Sequence, residues 1–191
     1  MLFNTDYNDG MLWIDCETTG TDYNKDIILE IGMQLTDIFG NNVLQPSHIV
    51  VRRTKDELSI MDDRTRNIHT SNNLINECMN DDIAISNDDV HDELLDYINK
   101  SLHIFDVIYI SGFSVSFDKT MINKYYDGIL NNTNGISHRL IDITTLNVLS
   151  EHLNHDLYEN APKFNTNHRS LTCVKGEIER YVYYRHHLFN Y

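Results

Sequence analysis

The chain is short of positive charge. Its 191 residues hold 29 Asp and Glu against 15 Lys and Arg, a formal net charge of −14. Coating a long polyanion relies on phosphate neutralisation by Lys and Arg, so a chain this acidic is poorly suited to it. A short polyanion held by metal ions and a few local donors stays open. Cysteine is scarce too. Cys16, Cys78 and Cys173 are odd in number and widely spaced, which excludes a disulfide framework and a zinc-knuckle spacing and fits a reducing compartment. No apolar run approaches the roughly 20 residues that cross a bilayer, so no membrane partner is expected. The first ten residues carry acids and no Lys or Arg, unlike a signal or transit peptide. The expectation is an intracellular, by default cytoplasmic, protein. Linkers, repeats and long low-complexity runs are missing, so residues 1–191 read as a single domain, with 1–10 as a short N-terminal extension.

What is present is an ordinary globular composition, 41% hydrophobic and 23% charged. Three strands are expected first, at Met11 to Asp15, Asp26 to Thr36 and His48 to Arg53. The Gly40-Asn41-Asn42 turn signal between the last two implies an antiparallel meander. Helices are expected at Lys55 to Asn67, Ser71 to Asn80 (with Ser71 as N-cap) and Asn87 to Leu102. A buried-strand pattern covers Phe105 to Ser111, followed by a helix from Ser116 to Tyr126. A short strand at Arg139 to Ile141, a helix from Thr144 to Leu153 and a long last helix from about His168 to His187 complete the order. Asn131 to Gly135 reads as a surface loop, as does Asn160 to Asn165. The fold class is α/β: a mixed sheet, meander first and parallel strands after, with helices packed on it.

The stretch Leu12 to Gly20 places two acids at a strand's end. Asp15 and Glu17 are two apart, so both side chains leave the same face. Two carboxylates so placed repel unless a cation lies between them, and hard divalent ions take oxygen ligands. Solvated acids at a strand end are the plainer alternative. Asp118 follows the Phe105 to Ser111 strand in the first turn of a helix. The helix dipole favours an acid there, but such turns also open onto the crevice at strand ends. His168 opens the last helix.

Together these residues resemble the DEDDh group of 3′–5′ exonucleases, and within it the oligoribonucleases. The matching pieces are W-I-D-C-E-T-T-G at 13–20, D-I-I-L-E-I at 26–31, G-x-S-V-x-x-D at 112–118, R-L-I-D at 139–142, A-P-K at 161–163 and H-R-S-L at 168–171. The resemblance implies a ribonuclease H-like fold and hydrolysis of short oligoribonucleotides to 5′-mononucleotides by two-metal catalysis. It implies Asp15, Glu17 and Asp118 as ligands of two magnesium or manganese ions and His168 as general base. It further implies a polar cap on the substrate's terminal phosphate from His69, Ser114, Arg139 and Thr144, with Gly20 also at the substrate. Short RNA and a second copy of the chain, as a homodimer, are the implied partners. An Arg139–Asp142 ion pair is the structural alternative for Arg139.

The match departs from the pattern in places. The family's fourth acid, five residues after the His, is Cys173 here, and the next acid in helical register is Glu177. A thiolate is a softer donor that suits zinc better than magnesium. At base-stacking positions Thr21, Arg64 and His138 stand where the family has Leu, Trp and Tyr. The alternative function is a catalytically impaired relative that binds a nucleotide or serves as an interaction module.

Overall fold

In the computed structural model, residues 8–163 and 167–189 are described. The centre is β1 (Asp9–Thr18), in which alternate side chains leave opposite faces. Leu12, Ile14 and Cys16 enter one apolar core, with Val90, Leu94 and Ile98 among its members. Met11 and Trp13 enter a second core with Val174, Tyr181 and Tyr184. Asp15 and Glu17 continue the Met11–Trp13 face, where the apolar contacts stop.

Strands β2 (Ile28–Asp37) and β3 (Ser47–Val50) extend the sheet antiparallel on one side of β1. Strands β4 (Val107–Gly112) and β5 (Ile136–Asp142) extend it in parallel on the other, giving the order β3-β2-β1-β4-β5. The expected meander followed by parallel strands is therefore the observed topology. One core holds α4 (Asn87–Leu102) and α5 (Ser116–Tyr125) against the sheet; the other holds α9 (Ser170–Phe189). Trp13 donates Nε1–H to Thr36 Oγ1 at 2.9 Å and stacks at a tilt on Tyr181, tying β2 and α9 to the central strand. Among the described residues no helix is long and apolar enough to cross a membrane.

Several boundaries differ from expectation. The helix expected over residues 55–67 is two, α1 (Lys55–Leu58) and α2 (Asp63–Ser71). Thr54 and Glu57 close a capping box on α1, and Asp62 caps α2 by accepting from the Thr65 amide. Ser71 ends α2 rather than capping its successor; left-handed Asn73 precedes α3 (Leu74–Cys78). The expected 131–135 loop is partly helical, because α6 (Ile129–Asn132) starts after left-handed Gly128. Strand β5 is longer than expected and runs directly into α7 (Ile143–Leu153), after which α8 (His155–Glu159) adds a turn. The last helix begins at Ser170, not His168. The expected N-terminal extension is shorter by its last two residues, since β1 begins at Asp9; residues 1–7 lie outside the described residues, as do Phe164 and Asn165 of the 160–165 loop.

Candidate active site

The site forms where β1 runs out of apolar partners and α9 crosses it. Asp15, Glu17 and Cys173 each offer a ligand atom within 4.8 Å of the others. The Cys173 thiol donates to the Asp15 carboxylate, yet Asp15 Oδ2 stays buried with no hydrogen-bond partner. Burial, reinforced by the charge of Asp118, pushes Asp15 well above the usual carboxylate range. Burial and then Asp15 lift Glu17 to about 8. A donor set of half-buried, mutually repelling carboxylates with one buried, orphaned oxygen fits a divalent cation.

Asp118 sits just outside that triplet. It is 6% exposed, and its Oδ1 accepts from the Cys16 amide at 2.8 Å, which pins the first turn of α5 to the end of β1. Burial raises it to about 7, against the pull of that amide. A fourth acid, Glu177, lies behind Asp15 on α9. Burial and then Asp15 push it well above the ordinary range. Its spacing from Cys173 put it in helical register, but nothing in the sequence assigned it to the site.

A cleft of about 410 Å³ opens beside Glu17, lined by Cys16, Glu17, Thr18, Gly20, Thr21, Asp62, Arg64, Thr65, Ile68, His69, Phe117 and His168. A larger cavity of about 540 Å³ lies apart, between β2, the turn after it and the outer side of α9. His168, exposed and with a left-handed φ of 52°, faces the cleft just before α9. Its turn is held by a buried network. Arg169 donates to Glu30 Oε1 at 2.8 and 2.6 Å and to Glu77, the Ser170 amide donates to Glu30 Oε2 at 2.7 Å, and Asn72 Nδ2 donates to the His168 carbonyl at 2.6 Å. Burial alone would raise Glu30; hydrogen bonds from His48, Arg169 and Ser170 win and hold it at about 2. Glu30 and Arg169 lie in the 26–31 and 168–171 motif pieces, but sequence reading assigned neither of them to the site.

His69 is 3% exposed, donates Nε2–H to the Thr18 carbonyl at 3.0 Å and lies 3.9 Å from Glu17 Oε2. Burial lowers its pKa, and its Nδ1 is buried without a hydrogen-bond partner. Gly20 has a structural reason of its own: a Cβ there would meet Asp26 Oδ2 at 2.5 Å. Asp26 is fixed by Thr19 and by the Asp22 amide.

The remaining expected cap residues do not line this cleft. Ser114, left-handed with φ 50°, donates its amide to Thr144 Oγ1 at 2.8 Å and to Asp142 Oδ1 at 3.0 Å. These three form a cluster at the C-terminal ends of β4 and β5. Arg139 is exposed on β5, an edge strand. The alternative Arg139–Asp142 ion pair is absent among the described residues; three positions along a strand put the side chains on opposite faces, and Asp142 Oδ1 instead accepts from the Ser114 and Thr144 amides. Of the stacking positions, Thr21 and Arg64 line the cleft and His138 does not.

A mixed five-stranded sheet flanked by helices, with acids gathered where the central strand ends, is the ribonuclease H-like α/β architecture of nucleases. A family model described as Exonuclease (RNase_T) matches residues 12–174, and the chain belongs to that family. The oligoribonuclease of Leifsonia xyli is 29% identical over 179 residues, covering 93% of this chain and 83% of that protein. The oligoribonuclease of Streptomyces coelicolor is 28% identical over 185 residues, with 95% and 88% covered. The human mitochondrial oligoribonuclease is 26% identical over 179 residues, with 94% and 73% covered. An exonuclease I structure shares the fold with a TM-score of 0.67 at 15% identity, covering 96% of this chain and 43% of that one. Exonuclease I of Methylocaldum szegediense gives 0.65 at 15% identity, with 92% and 40% covered. The chain thus spans about two-fifths of the exonuclease I chains, and the likeness to them is one of fold.

Proposed function

We propose that the chain is a metal-dependent 3′–5′ exoribonuclease that hydrolyses short oligoribonucleotides to 5′-mononucleotides. The observation that carries this reading is the gathering of Asp15, Glu17 and Cys173 within 4.8 Å around a buried carboxylate oxygen that has no partner. Asp15, Glu17 and Asp118 would hold two magnesium or manganese ions. Such ions, when bound, make water acidic and stabilise charge on the departing 3′ oxygen. His168 takes the proton of the attacking water on its ring, as the general base. Glu30 and Arg169 hold that ring's turn. The buried faces around Asp15 and Asp118 exclude bulk water and strengthen every charge–charge contact there.

Substrate would enter the 410 Å³ cleft, with Arg64 in a place to stack on a base and His69 and Gly20 at its floor. Ser114, Thr144 and Arg139 complete the phosphate cap in this reading. A homodimer is part of it. Val148, Leu149 and Leu153 are exposed on α7, the helix that follows the edge strand carrying His138 and Arg139, and offer a second copy an apolar face. The small cleft and the net charge of −14 both favour short RNA over long.

A second reading, an impaired relative that binds without cleaving, is favoured by one observation: a thiol, Cys173, stands among the acids. Turnover of an RNA dinucleotide in manganese or magnesium separates the two. The exoribonuclease reading expects cleavage by the wild type, loss of it in Glu17→Ala, and a fall of about a hundredfold or more in His168→Ala. An inert wild type that becomes active as Cys173→Asp would establish the impaired reading instead.

A further inference from the structure

Two divalent ions bring four positive charges. Asp15, Glu17 and Asp118 supply three negative ones when ionised, one fewer than two such ions bring. Directly behind this group lies Glu177. It follows Cys173 by one helical turn on α9, so the two side chains lie one above the other on a single face. Glu177 is 2% exposed. Its Oε1 accepts from the Phe113 amide at 3.1 Å, just past the end of β4. Its Oε2 is buried with no hydrogen-bond partner.

The direction of that second oxygen can be read from Gly112. A Cβ built there would stand 3.3 Å from Glu177 Oε2 and 2.9 Å from the carbonyl of Ile14. Oε2 therefore lies against the seam between β4 and β1, at the residue before Asp15. The charges felt most strongly by Glu177 are those of Asp15 and then Asp118. A merely structural buried carboxylic acid would give its proton to an acceptor, and Oε2 meets none. Buried polar atoms without partners are uncommon in native folds. Here two of them, Asp15 Oδ2 and Glu177 Oε2, belong to acids that repel each other across the same seam. A cation shared between them satisfies both.

We infer that Glu177 supplies the fourth carboxylate of the metal centre, acting from one helical turn beyond the position occupied by Cys173. The inference rests on the metal-dependent reading above and deepens it. The relocated acid brings the carboxylates at the centre to four.

Manganese binding by calorimetry on the full chain tests this, with melting temperatures in EDTA as a control for folding. Glu177→Gln keeps the side chain's size and its acceptor for the Phe113 amide. It is expected to melt no lower than the wild type in EDTA and to bind manganese about tenfold or more weakly. Cys173→Asp added to Glu177→Gln should recover most of the loss. Cys173→Asp alone should not tighten binding, because the fourth carboxylate is already present. Wild-type binding by Glu177→Gln, or a large gain from Cys173→Asp alone, would overturn the inference while leaving the metal-dependent reading intact. A wild type that binds no manganese at all would overturn both.

Discussion

Half-buried Asp15 and Glu17 and buried Asp118 crowd together at a cost that a cation would remove. Without metal, Glu17 at about 8 and Asp118 at about 7 keep protons in the folded chain that the unfolded chain releases near pH 4. Groups raised on folding favour the folded state fully below the unfolded pKa and lose that advantage as pH climbs through the folded value. The melting temperature in EDTA should therefore fall as pH rises from about 5 to about 8.5. Manganese should raise it, and by more at the upper end of that range, where it displaces no protons. Thermal melts at both pH values, with and without manganese, check this; an equal metal-induced shift at both would contradict it. Glu30 has the opposite sign. Held at about 2, it stabilises the fold above the unfolded glutamate pKa, and that contribution disappears as pH drops from about 4.5 toward 2.

Among the elements, α9 matters most, because the turn before it carries His168 and its inner face carries Cys173 and Glu177. Two devices seat it. Gly32 on β2 lets the helix backbone approach: a Cβ there would stand 2.8 Å from the Ser170 carbonyl carbon and 2.9 Å from the Leu171 amide nitrogen. Gly32→Ala should cost about 1–3 kcal/mol in urea denaturation and lower turnover by shifting α9 off β1. The Glu30–Arg169–Glu77 network is the second device. Glu30→Gln leaves Arg169 short of a buried partner and should cost about 3 kcal/mol. Its effect on catalysis should appear in kcat more than in KM, since it loosens the turn of His168 rather than the cleft. An unchanged kcat would remove Glu30 from the positioning of that turn.

These elements differ in how much of them was legible in advance. The strands at the sheet's centre follow from alternation along residues 11–15 and the β-branched run at 26–36, and α4 occupies the residues its apolar spacing marked. The break between α1 and α2 did not show, because Thr54, Glu57 and Asp62 act through caps while the surrounding composition stays helical. Asp15 and Glu17 gather with Cys173, whereas Asp118, the third ligand the motif implied, stands outside that group. Glu177 was visible only as an acid in register. Its significance depends on how α9 packs across the end of β4, which periodicity along one helix does not encode. Ser114 and Thr144, expected at the substrate, meet each other but do not line the cleft.

At the scale of the molecule, acidity and a small cleft set what the protein can hold. A net charge of −14 repels long RNA, and in the proposed function cations at the site would give a short strand its local anchor. The exposed α7 residues call for a cover, so light scattering should return about twice the 22.3 kDa chain mass; a mass of one chain would remove the dimer from the proposal. The most direct measurement follows a 5′-labelled RNA of a few nucleotides in manganese, with an EDTA control. The expected result is a ladder of labelled products shortened one nucleotide at a time from the 3′ end, abolished by EDTA. Label released first as a mononucleotide, internal cleavage, or no change in length with metal present would contradict the account.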